Sequence, residues 1–161
     1  MEADDPTTLG LELALDGCPL TSVTAVASVS HTWRRTALEA LEHRRTLDLT
    51  PFRLTITDEY LTALVARMPE VRHVNISGCS KLGDASLTAL KSCRHLTELN
   101  LSCLTQIHAD FVADVVDTIG DTLSSLELAG CRSISEYELV SRFGRFLELD
   151  DDEDGLSKVQ G

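Results

Sequence analysis

The residues of this chain that could do chemistry are five histidines, five cysteines and an acidic run near the end of the sequence. The sequence has no G-x-S-x-G and no H-E-x-x-H, the patterns that place a nucleophile or a catalytic zinc. It also lacks the G-x-x-x-x-G-K-S/T and G-x-G-x-x-G loops that bind nucleotide phosphates. We therefore predict a protein that is not an enzyme and has no catalytic residue and no cofactor. The histidines are predicted to be ordinary surface residues; they are His31, His43, His73, His95 and His108.

The cysteines are odd in number and contain no C-x-x-C pair, so they predict neither a disulfide framework nor a zinc site. The start of the sequence is acidic and lacks the basic and apolar regions of a secretory signal. Reduced thiols in a cytoplasmic protein, or in a nuclear or ciliary one, are the expectation. The five residues are Cys18, Cys79, Cys93, Cys103 and Cys131.

The acidic run from Asp150 to Asp154 matches the start of a calcium-binding EF-hand loop, with Gly155 at the sixth position. That loop needs a bidentate glutamate at its twelfth position, which is Gly161 here. We therefore predict no metal site and interpret residues 150–161 as a solvated acidic tail.

The charge of the chain limits the classes of partner. Acidic residues number 26 and basic residues 14, giving a formal net charge of −12. Such a surface disfavours nucleic acid, which is bound through clustered lysine and arginine. No apolar run approaches the roughly 18 residues that span a bilayer, so no membrane insertion is expected. The charge suits a protein partner with a basic surface. The alternative is a solvated acidic surface with no particular partner.

The elements that must position any binding residues follow from an internal repeat. The apolar pattern L-x-L recurs, beginning at Leu47, Val74, Leu99 and Leu126, which are 27, 25 and 27 positions apart. The last three copies extend to L-x-x-L-x-L, with a leucine or cysteine three residues later. Leucine-rich repeats have periods of about 20–29 residues.

Each strand pattern is followed by apolar residues at helical spacing, so each unit contains one strand and one helix. Stacked units of this kind bury their apolar faces against one another in a parallel sheet backed by helices. A terminal strand is predicted over residues 146–149. The helix residues predicted to face the core are Leu61, Leu64, Val65, Met68, Ala85, Leu87, Leu90, Phe111, Val112, Val115, Val116, Ile119, Leu139, Val140 and Phe143.

The phrases around Gly78-Cys79 and Gly130-Cys131 resemble the cysteine-containing class of leucine-rich repeats. The resemblance implies that Cys79 and Cys131 pack inside the stack, as small buried hydrophobes. It leaves Cys93 and Cys103 open between surface and packing roles. We predict an α/β fold, a short leucine-rich-repeat solenoid of about four units over residues 44–149.

Residues 1–43 resemble the second half of an F-box, with Val29-Ser30 and Trp33 in the pattern V-S-x-x-W. The proline of the usual L-P opening is missing near Leu9, and the alternative interpretation is a helical cap over the first repeat. By resemblance, this segment would bind a Skp-type adaptor. The candidate adaptor-binding residues are Pro19, Leu20, Val23, Val26 and Trp33.

Side chains beside the L-x-L leucines should point to the concave face of the sheet, where a partner could bind. A solvated sheet face without a partner is the alternative. We predict a protein-interaction subunit of a Skp–cullin–F-box ubiquitin ligase, which holds a target protein. The alternative function is a structural subunit of a large ciliary, ribosomal or respiratory assembly. The candidate partner-binding residues are Asp48, His73, Asn75, Glu98, Asn100, Ser125 and Glu127.

Overall fold

The structure is a computed structural model that describes Arg35 and residues 39–146. After helical residues 39–42, four units follow, each a three-residue strand and then a helix. The strands are β1 (Thr46–Asp48), β2 (His73–Asn75), β3 (Glu98–Asn100) and β4 (Ser125–Glu127). The helices are α1 (Asp58–Val65), α2 (Asp84–Leu90), α3 (Ala109–Ile119) and α4 (Glu136–Phe143). Short 3₁₀ helices span Thr50–Phe52, Gly120–Thr122 and Gly144–Phe146.

The four strands form one parallel sheet in the order β1-β2-β3-β4. The register pairs Leu47 with Val74, Val74 with Leu99, and Leu99 with Leu126. These are the first residues of the four L-x-L patterns and the central residues of the four strands, so the prediction that they lie side by side is confirmed. The chain is therefore an α/β protein built on a four-stranded parallel sheet.

The apolar core lies between the sheet and the helices. The central residue of every strand is buried, and it shares one cluster with the apolar residues of α1, α2 and α3. Cys79 and Cys131 are also buried there, as predicted. Their thiols point at carbonyl oxygens of the preceding unit, Leu49 O at 3.7 Å and Leu101 O at 3.2 Å. Each cysteine therefore packs where two neighbouring units meet.

The turn after each of the last three strands needs a residue in the left-handed region of backbone space. Gly78 has φ of 67° and Gly130 has φ of 71° at equivalent positions. The third unit has Cys103 there, at φ of 60°. In the described part of the chain, Cys103 is the only residue other than glycine with a positive φ. A side chain in this conformation costs roughly 1–2 kcal/mol. The sequence pattern did not reveal that Cys103 takes the place of a glycine.

Replacing Cys103 by glycine is expected to raise the free energy of unfolding by about 0.5–1 kcal/mol. Relief of the left-handed strain exceeds the extra entropy that glycine gives the unfolded chain. Cys103→Ala is the matched control, since alanine keeps a Cβ at positive φ and should gain nothing. Urea unfolding of the three proteins measures the difference. A glycine variant no more stable than the alanine variant would show that the turn is unstrained.

Neighbouring units are also joined through the first residues of their helices. Asp58 Oδ1 accepts the backbone N–H of Gly83 at 3.0 Å and the hydroxyl of the buried Ser86. One unit further along, Asp84 Oδ1 accepts the backbone N–H of His108 at 2.9 Å. Each aspartate begins its own helix and satisfies a free N–H at the start of the next.

Several local predictions are wrong. Ala85, Phe111 and Val140, predicted to face the core, are exposed, and Ser86 is buried in place of Ala85. Thr57, the residue before α1, has a buried hydroxyl with no hydrogen-bond partner among the described residues. Phe146, predicted to start a terminal strand, ends a 3₁₀ helix, and residues 147–149 lie outside the described residues.

Ser135, by contrast, caps α4 with a reciprocal capping box. Its hydroxyl and N–H donate to Glu138 Oε2 at 2.7 and 2.9 Å, and Glu138 N–H donates back to the hydroxyl. The hydrogen bonds from Ser135 lower the pKa of Glu138. In the fourth unit, the residue at the helix start, Ser135, therefore caps its own helix. In the first two units, Asp58 and Asp84 instead accept hydrogen bonds from the start of the next unit's helix.

Candidate functional site

The face of the sheet turned away from the helices carries two rows of polar side chains. One row crosses the four strands at their first positions and consists of Thr46, His73, Glu98 and Ser125. The other crosses them at their third positions and consists of Asp48, Asn75, Asn100 and Glu127. All eight side chains are exposed or half-buried, and no described residue covers them.

This polar face contains all seven residues predicted from the sequence to bind a partner. Six of them, together with Thr46, line a shallow depression of about 170 Å³ that crosses all four strands. Asp48 lies on the face at the β1 edge, outside the depression. The volume is below the roughly 300–1,000 Å³ of sites for drug-sized ligands. It suits a side chain of another protein better than a small molecule.

Two hydrogen-bonded pairs cross between strands within the depression. His73 Nδ1 lies 2.9 Å from Glu98 Oε2, and Asn100 Nδ2 donates to Glu127 Oε2. In each pair, one carboxylate oxygen is engaged, and the other has no hydrogen-bond partner among the described residues. Both glutamates are thus held in place while keeping an acceptor for a further donor.

The backbone beyond the first three strands fixes the side chains of Asp48, Asn75 and Asn100 in the second row. Asp48 Oδ1 accepts the N–H of Thr50 at 3.0 Å. Asn75 Oδ1 and Asn100 Oδ1 accept the N–H of the residues two positions on, at 3.1 and 2.9 Å. These local turns orient both amides: the NH₂ group of Asn100 donates to Glu127, and that of Asn75 has no partner among the described residues.

The electrostatics of the polar face are one-sided. Its charged groups are the carboxylates of Asp48, Glu98 and Glu127, and neither lysine nor arginine occupies any of the eight positions. His73 is the one histidine among the eight residues. A partner that presents arginine or lysine would find free carboxylate oxygens for charge-assisted hydrogen bonds.

A second pair of chemical interest lies at the helix starts. His108 Nδ1 is 2.7 Å from Asp84 Oδ2, as when a carboxylate orients a catalytic histidine. The hydroxyl at the equivalent position of the next unit, Ser135, donates to Glu138 Oε2 at 2.7 Å instead. Within the described chain, no hydroxyl or thiol is hydrogen-bonded to the other nitrogen of His108. Together with the N–H of His108 on Asp84 Oδ1, the pair links the start of α2 to the start of α3.

The cysteines differ sharply in their surroundings. Burial raises the pKa of the Cys79 and Cys93 thiols to about 11, and it raises the pKa of Cys131 as well. Cys93 is 1% exposed, so of the surface and packing roles left open by the sequence, it has the packing role. Cys103 is exposed.

We expect iodoacetamide at pH 8 to alkylate Cys103 in the folded protein at least tenfold faster than Cys79, Cys93 or Cys131. Thiolate is the reactive form, and a thiol with pKa about 11 is thiolate in roughly one molecule per thousand at that pH. Peptide mapping by mass spectrometry gives the rate at each site. The unfolded protein is the control, where all four should react alike. Equal labelling of Cys79 and Cys103 in the folded chain would contradict the burial.

The predicted adaptor-binding residues belong to the N-terminal segment. Pro19, Leu20, Val23, Val26 and Trp33 lie outside the described residues, as does the acidic tail over 150–161. Over Arg35 and residues 39–146, no group of three or more histidine, cysteine or acidic side chains is arranged to hold a metal ion. None of the helices in this range has the length and apolar character needed to cross a membrane.

Comparison of the sequence with models of known protein families finds no match. A comparison with curated proteins likewise finds no significant relative.

Proposed function

We propose that this chain is a leucine-rich-repeat protein whose function is to hold other proteins. The repeated L-x-L pattern, the in-register parallel strands and the two buried cysteines between units all support a short repeat solenoid. The observation that carries the functional part is the polar face, an ordered set of acceptors and donors that no described residue covers. We infer that a protein partner binds there.

The partner surface follows from the arrangement of the depression. Glu98 and Glu127 are oriented by their neighbours before any partner arrives, which lowers the ordering cost of binding. Four strands give a narrow face, so contacts there should be few and should rely on charge and hydrogen bonding. Binding should therefore weaken as salt concentration rises.

The resemblance of residues 1–43 to an F-box extends the proposal. In this interpretation, the N-terminal segment binds a Skp-type adaptor through Pro19, Leu20, Val23, Val26 and Trp33, and the polar face binds the target. The protein does no chemistry itself. It raises the effective concentration of the target near a ubiquitin-carrying enzyme in the cytoplasm.

Affinity purification of the full chain from cells tests the ligase role. The expected result is co-purification of a Skp-type adaptor and a cullin, lost when Val26 and Trp33 are both replaced by alanine. Glu98→Lys/Glu127→Lys is the matched control, since it should keep the adaptor and lose the target. Absence of both adaptor and cullin from the purified wild type would rule out the ligase role.

A second candidate function is supported by the opposite side of the molecule. Four large apolar side chains on the helices are 41–81% exposed: Tyr60, Phe111, Tyr137 and Val140. Exposed aromatic residues on the helices, together with the polar sheet face, offer contacts on two sides. A structural subunit packed between neighbours in a large assembly would use both.

Size fractionation of the same cell extract separates the two functions. A ligase subunit is expected in a complex with the adaptor and cullin. A structural subunit is expected at megadalton size without them, and Tyr60→Ser/Tyr137→Ser should release it to low molecular mass. Recovery of the wild type as a free monomer would contradict both functions.

A further inference from the structure

Four arginines lie along one edge of the fold, where the helices end and the strands begin. Arg45 and Arg72 immediately precede β1 and β2, and Arg67 and Arg94 follow the ends of α1 and α2. All four are exposed. We call this set the arginine edge.

The register brings the arginine edge together across neighbouring units. The N–H of Arg72 donates to the carbonyl oxygen of Arg45 at 2.7 Å, so the two backbones are in direct contact. The carbonyl oxygen of Arg72 in turn accepts the N–H of Thr97, three residues beyond Arg94. Backbone hydrogen bonds thus join the segments that carry Arg45, Arg72 and Arg94 in three successive units.

The charges of the arginine edge are not neutralised by the described residues. None of the four arginines takes part in an ion pair within Arg35 and residues 39–146. Glu42 and Glu70 belong to the same edge but form no ion pair with them. The guanidinium groups are therefore available to an anionic group.

The chain carries its own complementary charge. Five consecutive acidic residues, Asp150–Asp154, begin four positions after Phe146. Phe146 ends the 3₁₀ helix after α4, at the edge where helices end. Strands in a sheet are about 4.8 Å apart, so β2 is about 10 Å from β4. Six extended residues span up to about 20 Å, enough for the acidic run to reach Arg72 and Arg94.

We propose that the arginine edge binds the acidic run Asp150–Asp154 of the same chain. The bound run covers the arginines and keeps other anionic segments away from them. The contact rests on exposed charges, so it is weakened by salt. It lies on a different surface from the polar face and does not depend on the proposed function.

Amide NMR of the ¹⁵N-labelled full chain tests this contact. The comparison is with a variant in which Asp150, Asp151, Asp152 and Asp154 are asparagine and Glu153 is glutamine, so that only charge changes. The amides of Arg45, Arg72 and Arg94 are expected to shift between the two proteins. The differences should fade between about 0.05 and 0.5 M sodium chloride, as the Debye length shortens. Identical spectra at the arginine edge would overturn the proposal.

A synthetic peptide of residues 147–161, added to the neutralised variant, provides the second measurement. It is expected to shift the same amides, and Arg45→Gln/Arg72→Gln should weaken its binding about fivefold or more. Arg53→Gln/Arg132→Gln is the matched control, because both arginines are exposed but lie beyond the other ends of the strands. Equal weakening by the two double variants would contradict a specific contact.

Dilution distinguishes the occupants of the surface. Binding within one chain predicts spectra that do not change with protein concentration and a monomeric mass by light scattering. Shifts that disappear on dilution, together with a dimeric mass, would mean that the acidic run of a second copy occupies the edge, which contradicts the proposal.

Discussion

Replacing Leu99 by alanine is expected to lower the free energy of unfolding by about 3–5 kcal/mol. Leu99 is 1% exposed, at the centre of β3, and is paired in register with Val74 and Leu126. Its neighbours belong to two other units, which cannot collapse into the cavity without giving up the strand register. A loss of this size is a large fraction of the 5–15 kcal/mol of a typical domain.

Leu54→Ala is the matched control for this prediction, since the same atoms are removed from a side chain that is 68% exposed. Its effect should stay within about 0.5 kcal/mol. Urea unfolding followed by circular dichroism gives both values. A Leu99 variant as stable as the Leu54 variant would mean that the centre of the sheet is not packed against the helices.

Replacing Asp58 by alanine is expected to lower the free energy of unfolding by about 2–3 kcal/mol. Replacing any other exposed or half-buried acidic residue in the first turn of a helix should lower it by less. The substitution removes an acceptor shared by the N–H of Gly83 and the hydroxyl of Ser86. Ser86 is 1% exposed, so its hydroxyl would be left buried without an acceptor. Leaving a buried donor unsatisfied costs about 1–3 kcal/mol, and a bond to a charged group is worth more than a neutral one.

Glu59→Ala is the control, because Glu59 follows Asp58 in the same first turn of α1 but is exposed and forms no hydrogen bond or ion pair with α2. It should cost less than about 1 kcal/mol, the usual effect of a charge near a helix start. The double variant Asp58→Ala/Ser86→Ala should recover part of the loss, because the orphaned hydroxyl is gone. If the two losses simply add, Asp58 and Ser86 are not coupled.

The sheet and the polar face could be predicted from the sequence because both depend on alternation within a strand. Once Leu47, Val74, Leu99 and Leu126 are aligned, the side chains on either side of them must point the other way. The in-phase spacing then sets which polar residues become neighbours. No long-range information is needed beyond the repeat.

The sequence could not predict features that depend on how one unit meets the next. Helical spacing shows that Phe111 and Val140 share a side with core residues, but the rotation of each helix against its neighbour decides which edge of that side is covered. Ser86 is buried because Asp58 of the preceding unit accepts its hydroxyl. Nothing near Ser86 in the sequence indicates that partner.

Cys103 shows a different limit. Its neighbours in the aligned units, Gly78 and Gly130, adopt positive φ, and cysteine has no preference for that region. The cysteine pattern drew attention to Cys79 and Cys131, one position further along. Aligning the turn residues of the units, in addition to the leucines, is the signal that would have predicted the strained position.

The most direct test of the account is the amount of partner protein that co-purifies with a charge-reversed polar face. Glu98→Lys/Glu127→Lys should lose target proteins relative to wild type while keeping the circular dichroism spectrum of the folded chain. Glu59→Lys/Glu136→Lys reverses two exposed glutamates on helices and should keep the same targets. Undiminished recovery of targets by the Glu98→Lys/Glu127→Lys variant would contradict the claim that this chain holds its partners on the polar face of its sheet.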